Sequence, residues 1–156
     1  SIWLRNQKAK RQFCLESDYV YTAVDGTCQF SQYSHVGSIS YYENVPEGDE
    51  DYLAAVVEQY GPVAVAIDAS NWSFQLYSGG IYNEPSCTPY SLDHGVGCVG
   101  FGSDAGERYW IVRNSWGKSW GEQGYIRMLW WENQCGITSM ASIPFAWINK
   151  DVFNLI

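Results

Sequence analysis

The spacing of apolar positions changes at Gly61. Before it, Leu53, Val56, Val57 and Tyr60 recur at three- and four-residue intervals, the repeat of one helix face. Asp49 stands where an N-cap belongs, and Gly61-Pro62 ends the pattern, so a short helix is predicted over Asp49 to Tyr60. After it, the apolar runs are short and bounded by Gly, Asn, Asp or Pro: Val63 to Ile67, Val96 to Phe101, Tyr109 to Val112 and Gly124 to Met128. These read as strands of a small antiparallel sheet or barrel, with Val36 to Tyr42 as a further strand upstream. Residues up to about Tyr33 are polar and turn-rich, and no repeat, low-complexity tract or linker interrupts the chain. The predicted class is α+β.

Composition narrows this picture. The chain has 156 residues, of which 46% are hydrophobic, 17% aromatic and 17% charged, a balance suited to a packed core and unlike that of a disordered chain. Its net charge of -8 argues against nucleic acid as a partner. The one basic cluster, Lys8, Lys10 and Arg11, is short and reads as a solvated face. No run approaches the roughly 18 apolar residues of a membrane helix. No secretory pattern follows Ser1, and the start reads as a cut. Five cysteines suggest an oxidising compartment, with at least one unpaired within the chain. Asn71-Trp72-Ser73 is a sequon, which makes Asn71 a glycosylation candidate.

Two patterns suggest ligands that their context does not support. Gly95-Val96-Gly97-Cys98-Val99-Gly100 matches a dinucleotide fingerprint, but its glycines lie within a predicted strand, and Phe101-Gly102-Ser103-Asp104 opens no helix. His94, Cys87, Cys98 and Cys135 lack a C-x-x-C pair and any common zinc spacing. Neither a cofactor nor a metal is expected.

Only two histidines are present, His35 and His94. His35 has no suggestive neighbours and reads as structural. His94 follows Asp93, precedes Gly95 and Gly97 and opens a strand; Asn114-Ser115-Trp116-Gly117 follows a later one. A thiol hydrolase needs a thiolate, a base beside it and a group orienting that base. Histidine suits the base because its ordinary pKa lies near neutrality. An asparagine oxygen can hold its second ring nitrogen, and an indole can shield that bond from water.

Leu92-Asp93-His94-Gly95-Val96, Tyr109-Trp110-Ile111-Val112-Arg113-Asn114-Ser115-Trp116-Gly117, Trp120-Gly121 and Gly124-Tyr125-Ile126-Arg127 closely resemble the papain and cathepsin L family. Gly61-Pro62-Val63-Ala64-Val65-Ala66-Ile67-Asp68-Ala69, Gly80-Ile81-Tyr82 and Cys135-Gly136-Ile137 match as well, and the resemblance runs from about Cys14 to Phe145. It implies a papain-like cysteine proteinase fold, here mainly the C-terminal antiparallel barrel-like domain with one short helix. The implied division is 1–35 as a remnant of the N-terminal helical half, 36–145 as the barrel-like domain and 146–156 as an extra tail. It further implies that His94 is the catalytic imidazole and Asn114 its orienting partner. Trp116 is then the shielding indole and Trp120 its support, while Ala66, Leu92, Gly95 and Met140 line the pocket for the second residue before the scissile bond. A Cys87–Cys135 disulfide is implied, with Cys98 a free buried thiol. Cys28 resembles a cysteine whose partner lies upstream, and Cys14 is near enough in sequence to substitute for it.

The family's nucleophile lies in a Cys-Gly-Ser-Cys-Trp-like segment, and no cysteine here precedes Trp. The expectation is therefore a fragment of a cysteine endopeptidase, lysosomal or secreted, inactive by itself. Its partners would be peptide or protein substrates and the missing N-terminal half. Tyr19-Val20-Tyr21 stands where the family usually has Tyr-Pro-Tyr, and Ser1 to Phe13 match poorly. The rival readings are a non-peptidase homologue with serine at the nucleophile position, and an aromatic-rich carbohydrate-binding module. The second leaves the Asp-His-Gly and Asn-Ser-Trp-Gly blocks unexplained.

Overall fold

The computed structural model describes residues 12–20, 22 and 24–148. The cluster Lys8, Lys10 and Arg11, Tyr21, and most of the 146–156 tail lie outside them. The chain divides into two compact units, one of residues up to Tyr42 and from Pro144 onward, the other Glu43–Ile143.

In the first unit, β1 (Gln12–Phe13) pairs antiparallel with the start of β2 (Gly37–Asn44). Tyr19 stacks on Tyr33 with ring centroids 5.0 Å apart. His35 stacks on Phe30 at 4.2 Å and holds its Nε2 3.3 Å from the Phe30 carbonyl oxygen, the satisfied structural role its sequence context suggested.

The second unit holds helix α1 (Glu50–Tyr60), a short helix α2 (Trp72–Gln75) and the strands β3 (Val63–Ile67), β4 (Ile81–Tyr82), β5 (His94–Asp104), β6 (Glu107–Arg113), β7 (Tyr125–Leu129) and the start of β8 (Ala141–Ile148). Asp49 caps α1: its side chain accepts the Tyr52 N–H at 2.8 Å. Glu50 and Asp51 in the first turn suit the positive end of the helix dipole. At the other end Gly61 adopts φ 94° and donates its N–H to the Val57 carbonyl, a conformation that an L side chain resists. Leu53, Val56 and Val57 are buried as the spacing predicts, but Tyr60 is 54% exposed. It is the last residue of the helix.

The strands run in the order β8-β3-β5-β6-β7-β4. β5 and β6 are longer than their apolar runs, because Ala105 (φ 49°) and Gly106 (φ 89°) close a tight hairpin and let pairing continue to Asp104 and Glu107. The predicted fingerprint glycines lie within β5, where a bulge interrupts pairing between Cys98 and Gly100. β4 departs from the predicted antiparallel pattern, pairing parallel with β7 through Ile81↔Arg127 and Tyr82↔Met128. Val63, Val65, Ile67, Trp110, Val112, Ile126, Met128 and Ile137 form the core. Trp110 stacks on Trp130 at 4.1 Å, and the Arg108 guanidinium lies 3.5 Å over the Trp130 ring.

Candidate active site

The β5–β6 hairpin brings together residues twenty apart in sequence. His94 is the first residue of β5, Asn114 follows the last residue of β6, and Gly97 faces Arg113 across the ladder. The His94 Nε2 lies 2.9 Å from Asn114 Oδ1. The same Oδ1 accepts the Ser115 backbone N–H at 2.7 Å, which fixes the orientation of the amide. An amide oxygen only accepts, so Nε2 is the donor. Neutral His94 therefore carries its proton on Nε2 and presents an unprotonated Nδ1, the atom able to take a proton from a thiol. Asn114 is held in turn: its N–H donates to the Gly124 carbonyl at 2.9 Å, and the residue is 7% exposed.

An aromatic cluster surrounds this pair. Trp116 lies beside His94 with ring centroids 5.1 Å apart, and Trp120 meets Trp116 edge-on at 5.3 Å. The Trp120 indole N–H donates to the Gln75 carbonyl at 3.1 Å, tying this loop to α2. Phe74, fully buried, stands edge-on to His94 at 6.0 Å and to Trp116 at 5.6 Å. Phe74 had no counterpart among the residues read from sequence. Its helix is four residues long, too short to produce a period. Beside His94 is an open hollow of about 470 Å³, lined by Ala69, Gln75, Asp93, His94 and Trp116.

The four residues expected to line a substrate pocket are not among the lining of this hollow. Ala66 faces Gly95 in the β3–β5 ladder and donates its N–H to the Met140 carbonyl at 3.2 Å, so these three are neighbours. The Met140 side chain is 63% exposed beside them. Leu92 is half-buried with its Cδ2 against Gly136, where an added β-carbon would come within 2.6 Å.

Cys87 and Cys135 are joined in a disulfide, and the Gln134 side-chain amide donates to the Glu84 carbonyl at 3.0 Å beside it. Cys98 is a free, fully buried thiol, and burial pushes its pKa up to about 12, which suits a packing residue and not a nucleophile. Cys14 and Cys28 are both free, so the substitute pairing considered for them is absent. Asn71 is half-buried before α2, and its Oδ1 accepts the Ser86 hydroxyl at 3.3 Å. Among the described residues, no three His, Cys, Asp or Glu side chains group to hold a metal, and no helix is long and apolar enough to cross a membrane.

The chain matches the papain family cysteine protease model over residues 3–145. It is 51% identical to cathepsin L1 of Drosophila melanogaster over 131 residues, covering 83% of this chain and 35% of that protein. It is 46% identical to digestive cysteine proteinase 2 of Homarus americanus over 138 residues, 88% of this chain and 43% of that one. It thus spans less than half the length of these relatives. Among solved structures, the digestive procathepsin L 3 of Tenebrio molitor larval midgut superposes with TM-score 0.75 at 46% identity, over 84% of this chain and 43% of that one. The Ananas comosus bromelain protease in complex with the E64 inhibitor gives TM-score 0.77 at 38% identity, over 86% and 63%. The fold is that of the predominantly antiparallel C-terminal domain of these enzymes. With the match running through both the Asp-His-Gly strand and the Asn-Ser-Trp-Gly loop, this chain belongs to the papain family of cysteine proteases.

Proposed function

We propose that this chain supplies the base-bearing half of a cysteine endopeptidase whose nucleophilic cysteine lies in a segment upstream of it. The observation that carries this reading is the His94–Asn114 hydrogen bond with its orientation set by Ser115. In the complete site, a thiol placed at Nδ1 gives its proton to His94, forming a thiolate–imidazolium pair. The thiolate adds to the scissile carbonyl carbon, and His94 returns the proton to the leaving amine as the C–N bond breaks. Water, deprotonated by His94, then opens the thioester, releasing the acid and restoring the thiol. Asn114 keeps the ring turned for both transfers. Trp116, beside the ring on the hollow's wall, shields the pair and borders the leaving-group side, with Trp120 behind it. Met140, Ala66, Leu92 and Gly95 line the pocket for the second residue before the cut. Asn71 is the acceptor if the chain passes through a secretory route, and a lysosomal or secreted location fits both the disulfide and the family.

The isolated chain, without a nucleophile, hydrolyses nothing. The test joins the chain to its native upstream sequence. The complete protein is expected to cleave peptides and to be labelled by an epoxide probe at an upstream cysteine. Within it, His94→Ala lowers kcat by about 10²–10⁴-fold, and Asn114→Ala by less, since the ring still samples its productive orientation. A serine at the upstream position, or thiol-dependent turnover by the 156-residue chain alone, overturns the reading.

A further inference from the structure

Asp68 is 3% exposed, carries a carboxylate, and has no place in the chemistry described above. It follows β3 directly, one residue beyond Ile67, which faces His94 in the ladder. Its Oδ2 accepts the Thr88 backbone N–H at 2.9 Å; its Oδ1 accepts the Ser70 hydroxyl at 2.6 Å and the Ser70 N–H at 3.1 Å. Its own N–H donates to the Cys135 carbonyl at 2.9 Å. Burial alone pushes the Asp68 pKa up, but the donors from Ser70 and Thr88 outweigh it and hold the group below its ordinary value. A charge this buried, satisfied by two backbone N–H groups and one hydroxyl, is an anchor for the segments that supply them.

Those segments converge on His94. Thr88 follows disulfide-bonded Cys87 and begins the stretch that ends at Asp93, immediately before His94. Asp93 is tied back to the residues flanking Asp68: its N–H donates to the Ile67 carbonyl at 3.1 Å, and its Oδ1 accepts the Ala69 N–H at 2.8 Å. The loop delivering the imidazole is thus stitched at both ends to one three-residue stretch, Ile67 to Ala69, with Asp68 at its centre.

We propose that Asp68 is a positioning residue for His94, fixing through Thr88 and the flanking bonds to Asp93 the loop that sets the imidazole against Asn114. The inference rests on reading His94 and Asn114 as the functional pair. It differs from a purely local structural role in predicting that loss of the Asp68 carboxylate is felt at the His94 ring.

The chain carries only two histidines, so its imidazole resonances report directly, with His35 as internal control. The experiment records long-range ¹H–¹⁵N spectra and amide exchange on the full chain, comparing Asp68→Asn, Ser70→Ala and Asn114→Ala with the unsubstituted protein. In Asp68→Asn, the Thr88 amide and the His94 Nε2 proton are expected to exchange at least about tenfold faster, as a local opening shifts toward its open form. The His35 signals stay in place. Ser70→Ala, which removes one donor to the same carboxylate, shifts the His94 signals in the same direction by less. Should Asp68→Asn fail to fold, Ser70→Ala decides the matter. A loosened Thr88 with unchanged His94 signals, or unmoved His94 signals in a folded Ser70→Ala chain when Asp68→Asn is unfolded, overturns the proposal. Asn114→Ala separates the two ideas. If it moves His94 and Asp68→Asn does not, only the positioning role falls; if it leaves His94 unmoved, the pair itself is misread.

Discussion

The carboxylate of Glu50, in the first turn of α1, accepts the indole N–H of Trp110 in β6 at 3.1 Å, across sixty residues of sequence. Both are buried, and the second oxygen, Oε2, accepts the Asn133 backbone N–H at 3.3 Å. One side chain thereby connects helix, sheet and the loop leading to Cys135. Glu50→Ala strands the Trp110 donor and should destabilise the chain by about 1–3 kcal/mol. Glu50→Gln keeps an acceptor and should lose less. Denaturant midpoints of the two variants check this, and equal losses would mean that the hydrogen bond contributes little.

The Cys87–Cys135 disulfide spans a sequence separation of 48 that contains His94 and Asn114. Closing a loop of that size restricts the unfolded chain by an amount worth about 4 kcal/mol. The Cys87→Ser, Cys135→Ser double variant should show a lower denaturant midpoint than the parent under oxidising conditions. The two should converge under strong reductant. Non-reducing peptide mapping that found Cys87 joined to Cys98 would contradict this structure directly.

Asp68 makes an acid-dependent contribution. Its pKa is lower in the folded chain than the ordinary carboxylate value, about 3.9. A depressed carboxyl stabilises the fold above the unfolded value, and that stabilisation fades as pH falls through the folded one. Stability should therefore drop below about pH 4. Glu84, held low by the Ser73 and Ser86 hydroxyls, and Glu122, held low by Arg127, act with the same sign. Comparing Asp68→Asn with the parent isolates one share: the variant's unfolding free energy should fall less steeply between pH 5 and pH 2, estimated from the ordinary value of about 3.9. Parallel curves would assign the acid sensitivity elsewhere.

Met140, Ala66 and Gly95 are neighbours at the β3–β5 ladder and carry no charge. On the proposed reading, in which these residues line a substrate pocket of the complete protein, an arginine placed there would lose water without gaining a partner, whereas an apolar side chain gains about 25 cal/mol per Å² buried. A leucine substrate should outperform its arginine counterpart in kcat/KM. Met140→Glu should shift that ratio toward arginine by roughly tenfold or more, as one added charge pair allows. An unchanged ratio would place Met140 outside the pocket.

Much of this was legible in the sequence because the signals are local. The α1 period, the Asp49 cap and the Gly61 stop concern neighbouring residues, and the structure follows them closely. So do the main strand runs, whose ends moved by a few residues, at one end of β5 and β6 because the Ala105–Gly106 turn extended the hairpin, whereas β8 was not among the predicted strands. Tyr60 misled because periodicity marks a face, whereas burial depends on what that face meets. The four residues of α2 and the two of β4 carry no period, and β4 needs β7 beside it to become a strand at all.

By itself the sequence determined the family, the division into helix and short strands, and His94 and Asn114 as the residues to examine, because residue type, spacing and motif are properties of the linear chain. The tertiary structure alone decided that Phe74 packs edge-on to the His94 ring, that Glu50 reaches Trp110, and that the Asp68 carboxylate takes the Thr88 N–H in the stretch leading to His94. Each of these depends on strand pairing and burial, which bring together groups remote in sequence. Their hydrogen bonds gain strength where the fold excludes water from between them.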